Sequence, residues 1–322
     1  MLYAKVVLGL PVDVAFDYSV PLGLQKDICV GARVLVSLRN KKAVGYVAAL
    51  TRKTYIKNIK DIIELLDKKP ILSNKLFLLA KQLSEYYCCS FGEMIGSMLP
   101  SEIRNGKLVK VDSLTVENTS NKYLPEKETI LLYNLDRKSR WNIYIDELRR
   151  TQEAGNSSIA LFSDIPTAFK AKDIFEKASI KDVDILFRKE REEFKVWQEI
   201  SAKENCVVVG TRSAVFAPVN RLGLIILDRE EDSVYKQEQV PHYHAREAAL
   251  MRSQIEGFKV ILESASPSLH SFYLSKSNKL TFKVLKAKDS LPRVSIVDLK
   301  RRSYAERKSK EILPRIISDA IL

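Results

Sequence analysis

Cysteine and histidine are scarce in this chain of 322 residues, which holds four of the first and three of the second. Cys29, Cys88, Cys89 and Cys206 show no C-x-x-C spacing and no histidine pair nearby. A zinc site is therefore not expected, and four unpaired thiols fit a reducing cytoplasm. No apolar run approaches the ~18 uninterrupted residues of a membrane span. The apolar start "MLYAKVVLGLPV" is interrupted by Lys5, and no small-residue cleavage site follows it. It reads as a strand and not as a signal peptide. The expectation is a soluble, cytoplasmic protein with no membrane partner.

Acid is also in short supply. Lys and Arg number 53 against 40 Asp and Glu, a net charge of +13. That balance points to an anionic partner, with nucleic acid first, although a lysine-rich surface kept for solubility gives the same number. Hydrophobic residues at 46% supply material for buried cores, and the length suits two or three domains.

Up to about residue 66 the chain reads as short β-branched strands ("LYAKVVLGL", "VAFDYSVP", "GARVLVSL", "AVGYVAAL") separated by Pro, Gly and charged turns. The period then changes. In "SNKLFLLAKQLSEYYCC", Leu76, Leu79, Leu83 and Tyr86 fall on one helical face, with Ser73 placed to cap it. Tyr86 and Tyr87 are alternatively an exposed aromatic edge. "SFGEMIGSMLP" closes this unit near Pro100, and residues 105–128 are polar and weakly periodic, as a linker is. From residue 129, apolar strands ("TILLYNL", "SSIALFS", "VDILF", "CVVVG", "LGLIILD", "KVILES") alternate with helical stretches. This predicts an α/β fold: a small β-rich domain followed by a parallel sheet with helices on both faces. Ligands of such sheets bind where strands end, so the loops after "TILLYN", "CVVVG", "LIILD" and "VILES" are the places to search.

Three of those loops are distinctive together. The stretch 207–247, "VVVGTRSAVFAPVNRLGLIILDREEDSVYKQEQVPHYHARE", is similar to the acidic-box region of the primosomal protein N′ (PriA) family of replication-restart helicases. "ESASPSLHSFY" resembles that family's next motif. "LPVDVAFDYSVP", "GARVLV" and "LSEYYCCSFGEMIGSMLPSEIRNGK" resemble its first domain, in the same order. The resemblance implies a 3′-end DNA-binding domain over 1–104, a linker over 105–128 without the family's winged helix, and a RecA-like first lobe of a superfamily 2 helicase over 129–322. It also implies that the second lobe and its zinc-binding region are absent.

Departures from the family pattern bear on activity. A phosphate-binding loop needs glycines so that backbone N–H groups can wrap the phosphates, a lysine for the terminal phosphates, and a hydroxyl for magnesium. By the resemblance, that loop falls on "NLDRKSRW", where Asn134, Arg137 and Ser139 stand for glycines, Arg140 for the lysine and Trp141 for the threonine. The acidic box becomes Asp228, Arg229, Glu230 and Glu231. Asp228 keeps a metal-type carboxylate, while Arg229 cannot take a proton from water. Glu263 replaces a further glycine and Ser266 a threonine. Asp228 and Glu230 are expected to be relic acids, solvated or paired with Arg212 or Arg229. No cofactor is expected, although active members of the family use ATP and magnesium. His242 and His244 form an H-x-H without a third ligand, which reads as a helix cap.

The first domain of the family grips a 3′ DNA end in a pocket built on an F-D-Y segment and a later lysine. The resemblance places these at Phe16, Asp17, Tyr18 and Lys60, with Arg39 where the pocket wall has glycine. Arg39 would either fill the pocket or contact phosphate. Phe16 and Tyr18 alternate in a strand and equally suit a β core. Residues 1–100 hold 14 Lys/Arg against 8 Asp/Glu. From Arg39 to Lys60 there are seven basic residues and no acid, interleaved with Tyr46 and Tyr55. That is a candidate phosphate-tracking strip. "KRRSYAERKSKE", 300–311, is a charge run for solvent or for non-specific DNA contact.

The expected function is binding of forked or 3′-ended DNA in replication restart, with the ATPase site inactive. Other primosome proteins or single-strand-binding proteins are expected partners. Two readings stay open at this level: an ATP-dependent 3′-to-5′ helicase completed by a separately encoded second lobe, and a non-functional product of gene decay.

Overall fold

Short β-branched segments need partners, and the first 66 residues find them in one another. The computed structural model describes residues 1–67, 69–109, 127–134, 139–188 and 192–285. Strands β1 (Tyr3–Leu8), β2 (Phe16–Ser19), β3 (Arg33–Leu38), β4 (Lys41–Thr51), β5 (Lys60–Asp61) and β6 (Glu64–Leu65) form a sheet in the order β5-β2-β1-β4-β3-β6. The two edges are consecutive in sequence. Ile62 N–H bonds Ser19 O at 3.0 Å on one side, and Ile63 N–H bonds Leu35 O at 2.9 Å on the other. The sheet therefore closes on itself through residues 60–66 into a small barrel, which leaves fewer open edges. Ala4, Val6, Leu8, Tyr18, Val34, Val36, Val47 and Ile62 fill it.

Ser73 caps α1 (Asn74–Tyr86), accepting from Leu76 N–H at 3.2 Å, as its position in the sequence predicts. Leu76, Leu79 and Leu83 are buried, whereas Tyr86 is 57% exposed and meets Tyr87 edge-on, so the aromatic-edge reading holds at that position. Helix α2 (Phe91–Met98) begins with a capping box between Ser90 and Glu93. It lies so close to β1 that a methyl group at Gly92 would strike the Leu8 carbonyl. Helix α3 (Ser101–Arg104) ends the segment.

The remaining strands are β7 (Thr129–Asn134), β8 (Ser157–Leu161), β9 (Val183–Leu186), β10 (Val207–Gly210), β11 (Leu222–Leu227), β12 (Lys259–Ser264) and β13 (Thr281–Leu285). They form one parallel sheet in the order β13-β7-β12-β11-β8-β10-β9. Helices α4 (Ser139–Glu153), α5 (Ile165–Lys177), α6 (Glu193–Ala202), α7 (Ala245–Glu256) and α8 (Leu269–Lys276) connect them. Central strands buried on both faces explain why β8, β10 and β11 read as unbroken apolar runs. All described residues belong to one compact unit.

The barrel segment and the sheet share a core. Leu79, Leu83 and Met94 join Val208, Phe216 and Ala248 in one apolar cluster. Arg188 donates to Leu99 O at 3.0 Å, and the Tyr87 hydroxyl accepts from His244 N–H at 3.0 Å. Arg33 is fully buried, holds Asp67 at 2.6 Å and donates to Lys107 O at 3.0 Å. Contacts of the first module thus reach beyond Arg104. Residues 110–126 of the expected linker and the charge run 300–311 lie outside the described residues.

Candidate functional site

Strands β7, β11 and β12 are neighbours, so their C-terminal ends bring Asn134, Asp228 and Glu263 together. Asn134 and Asp228 were expected there from sequence. Asn134 Nδ2 donates to Glu263 Oε1 at 3.1 Å, and Ser139 Oγ donates to Asn134 Oδ1 at 3.3 Å. The other Glu263 oxygen accepts from Arg229 N–H at 3.2 Å. Arg140, in the first turn of α4, places Nε 3.2 Å from Asp228 Oδ1. The same oxygen accepts from the Tyr144 hydroxyl at 2.8 Å. Trp141 turns the other way, stacked on Phe162 at 5.9 Å and edge-on to Phe175. Arg137 lies outside the described residues.

Asp228 and Glu263 are both 1% exposed. Burial is the main cause that pushes each carboxyl above its ordinary range; the Asp228 charge adds to it for Glu263, and the Glu231 charge for Asp228. For Asp228, Arg140 and the Tyr144 hydroxyl pull partly back. Glu263 was noted in the sequence as a departure from the family pattern, but its partners come from the sheet order, which sets β12 beside both β11 and β7.

The expected pairing of Asp228 and Glu230 with Arg212 or Arg229 is corrected by the structure, and neither acid is solvated. Asp228 pairs with Arg140, and Glu230 pairs with Arg246 at 2.7 Å. Arg229 adopts a left-handed backbone (φ 54°), which sends its side chain outward to Asp232 at 3.4 Å while its neighbours point inward. Arg212 instead donates to the carbonyls of Val234 and Lys236 at 2.6 and 2.7 Å. Glu230 also accepts from Ser268 N–H at 2.7 Å and from the Ser271 hydroxyl at 2.9 Å. His244 caps α7, accepting from Arg246 N–H at 3.2 Å, as read from sequence. Burial first, and Arg246 second, lower its pKa to about 4, so it accepts as a neutral ring.

In the barrel, alternation along β2 divides the predicted DNA-end residues between two faces. Tyr18 is buried, its hydroxyl donating to Ser37 O at 3.1 Å, and half-buried Phe16 packs against the same core. Lys60 stands in register beside Tyr18, with Nζ 3.5 Å from Ser37 Oγ. Asp17 faces the other way. Its Oδ1 accepts from Lys5 Nζ at 3.0 Å and its Oδ2 from Thr54 Oγ1 at 2.7 Å. Burial raises its pKa, but these two donors outweigh burial and leave it lowered.

Tyr46 is 4% exposed and belongs to the core, which removes it from the expected basic strip. The eleven-residue β4 also separates the strip's two ends, with Arg39, Lys41 and Lys42 at one and Arg52, Lys53 and Lys57 past the other.

Arg39 and Asn40 form the two-residue turn between β3 and β4, with φ of 45° and 64°. Both positions of such a turn favour glycine, asparagine or aspartate. Arg39→Gly should therefore stabilise the protein by about 1 kcal/mol, read as a higher urea midpoint. An unchanged or lower midpoint would show that the exposed Arg39 side chain makes a compensating contact.

A small barrel joined to a seven-stranded parallel sheet in the order β13-β7-β12-β11-β8-β10-β9 defines a protein built from a β-rich module and a RecA-like lobe. Residues 5–100 match the PriA 3′ DNA-binding domain (3′BD). The replication restart protein PriA of Treponema pallidum is 23% identical over 94% of this chain and 50% of its own length. That of Rickettsia typhi is 28% identical over 100% of this chain and 51% of its own. That of Chlamydia muridarum is 33% identical over 59% of this chain and 26% of its own. Over nearly its whole length the chain is similar to replication restart proteins of this kind, and it spans about half the length of the first two of these relatives. A DEAD box protein from Methanococcus jannaschii aligns in structure with a TM-score of 0.39 and 13% identity, over 49% of this chain and 46% of that one; at that distance the strand order here carries the fold assignment.

Proposed function

We propose that this chain binds forked or 3′-ended DNA in replication restart and does not hydrolyse ATP. The observation that carries the DNA-binding part is the match of residues 5–100 to the PriA 3′ DNA-binding domain, on a barrel that exposes Arg39, Lys41, Lys42, Arg52, Lys53, Lys57 and Lys60 with no acid between them in the sequence. The second part is supported by the strand ends of the lobe. Nucleotide and magnesium do not fit the residues there. Phosphates would meet the extra buried acid Glu263, and one oxygen of Asp228, Oδ1, is already engaged by Arg140 and the Tyr144 hydroxyl, while Oδ2 is buried without a hydrogen-bond partner among the described residues. Trp141, where a metal-binding hydroxyl would stand, is turned into the core. No cofactor is assigned, and other primosome proteins are proposed partners on the strength of the family alone. Among the described residues, no helix is long and apolar enough to cross a membrane.

Purified protein titrated with fork DNA, with and without ATP, tests both parts. Binding should be the same in the two conditions and should weaken steeply with salt. With four phosphate contacts, affinity falls roughly 150-fold between about 50 and 200 mM. Phosphate release should stay at background with or without DNA. DNA-stimulated hydrolysis that co-purifies with the chain and disappears in Asp228→Ala would sink the inactive-site part.

A further inference from the structure

An exposed tyrosine is ordinary when its ring lies along the surface, but Tyr55 is 97% exposed and so is covered by almost nothing. The next residue, Ile56, is 56% exposed. Both stand between β4 and β5, in a stretch where Arg52, Lys53 and Lys57 are exposed and no acid occurs from 52 to 60. An aromatic ring held out among cations is the arrangement that receives an unpaired nucleobase: the face of the ring stacks on the base and the cations neutralise the flanking phosphates.

Local hydrogen bonds tie the base of this loop down. Lys53 N–H donates to Thr51 Oγ1 at 3.1 Å, and Ile56 N–H donates to Thr54 Oγ1 at 3.2 Å. The Thr54 hydroxyl in turn donates to Asp17 at 2.7 Å, and Lys5 holds the other oxygen of that carboxylate at 3.0 Å. Lys5 and Asp17 are directly opposite each other on β1 and β2. The residues flanking Tyr55 are thus anchored to the barrel wall while its ring projects. Of the tyrosines in the barrel strands, Tyr18 and Tyr46 are buried in its core and Tyr3 is half-buried.

We propose that the loop 52–59 is a base-stacking site for single-stranded DNA, with Tyr55 as the platform, Arg52, Lys53 and Lys57 as phosphate contacts, and Asp17 as a positioning residue that fixes the loop through Thr54. The inference rests on the DNA-binding reading above and adds a site distinct from the Tyr18–Ser37–Lys60 side of the barrel. It also changes the expected role of Asp17, whose two oxygens are engaged within the protein.

The probe is a single-stranded oligonucleotide carrying one fluorescent base analogue, titrated into the full chain, with a blunt duplex as the second ligand. Tyr55→Ala should weaken single-strand binding roughly 5- to 150-fold, the range of one lost base stack, and leave the blunt duplex within about twofold. Tyr55→Phe should restore single-strand affinity, since the ring face and not the hydroxyl does the work. Tyr55→Trp should bind at least as well, with indole emission quenched on binding. Thr54→Val, which removes the tether and touches no DNA, should give an intermediate loss for the single strand. Tyr55 is nearly uncovered, so its substitutions should leave the thermal midpoint unchanged. A wild type that binds DNA while Tyr55→Ala binds single strands equally well overturns this site alone. A wild type that binds no DNA overturns the functional reading and this site together. Equal losses for single strand and duplex in Tyr55→Ala would also overturn it, because stacking needs an unpaired base.

Discussion

Arg246→Ala is expected to cost about 3–5 kcal/mol of stability, the range seen when one partner of a buried ion pair is removed. Glu230 is 0% exposed, and among the described residues Arg246 supplies its only cationic partner, at 2.7 Å. Without the guanidinium, three neutral donors remain: Ser268 N–H and the hydroxyls of Ser268 and Ser271, at 2.7, 3.0 and 2.9 Å. They cannot offset the desolvation of a full negative charge. Adding Glu230→Gln to Arg246→Ala should recover most of the loss, because the amide oxygen still accepts from Ser268 N–H and the serine hydroxyls can turn to accept from the amide. Urea unfolding of the two variants measures this. A loss below about 1 kcal/mol in Arg246→Ala would mean that water reaches Glu230 and that the strut between β11, α7 and α8 carries little.

The cluster of Asp228, Glu263 and Arg140 should make stability depend on pH. Both acids have their pKa raised in the folded protein. A raised carboxyl favours folding when protonated, so its contribution is full below the ordinary carboxylate range and is lost as pH rises through the raised folded values. Arg140 limits that loss by holding Asp228 at 3.2 Å. Arg140→Ala should therefore destabilise the protein by about 3 kcal/mol near neutral pH, the low end of the range because Arg140 is itself 15% exposed. The defect should shrink as pH falls through the raised folded values and the acids take up protons. Glu263→Gln should act on the slope: the amide can keep the Asn134 contact but loses the bond from Arg229 N–H, and one of two coupled charges is removed, so the pH slope flattens. A series of urea midpoints over pH decides it. A flat series in Arg140→Ala would mean that the acids are ionised and hydrated, and the internal pairing would then be no obstacle to a metal ion.

Helix caps and apolar periods were legible because they act locally. Ser73, the helix of Leu76, Leu79 and Leu83, the cap at His244, and the alternation of strands and helices beyond residue 129 follow from neighbours a few positions apart. Helix α6 and strand β13 were not picked out, since "EFKVWQEISA" and "TFKVL" carry weak periods of their own. Tyr46 carried no warning of burial: an aromatic among lysines looks like a surface residue until the barrel closes over it. Asp17 and Lys60 were placed in one pocket by resemblance, and register sets them on different faces of the wall.

What the sequence determined by itself was the kind of element at most positions and the basic character of the first hundred residues. These are properties of residue type and short spacing. What only the tertiary structure decided was which charges meet. Asp228 and Arg140 are 88 positions apart and Asn134 and Glu263 are 129 apart, and they touch because β7, β12 and β11 are adjacent in the sheet. Glu230 meets Arg246, and not Arg229 beside it, because the left-handed turn at 229 reverses which side chains face inward. Partner choice for a buried charge depends on strand order and backbone turn, which no window of neighbouring residues contains.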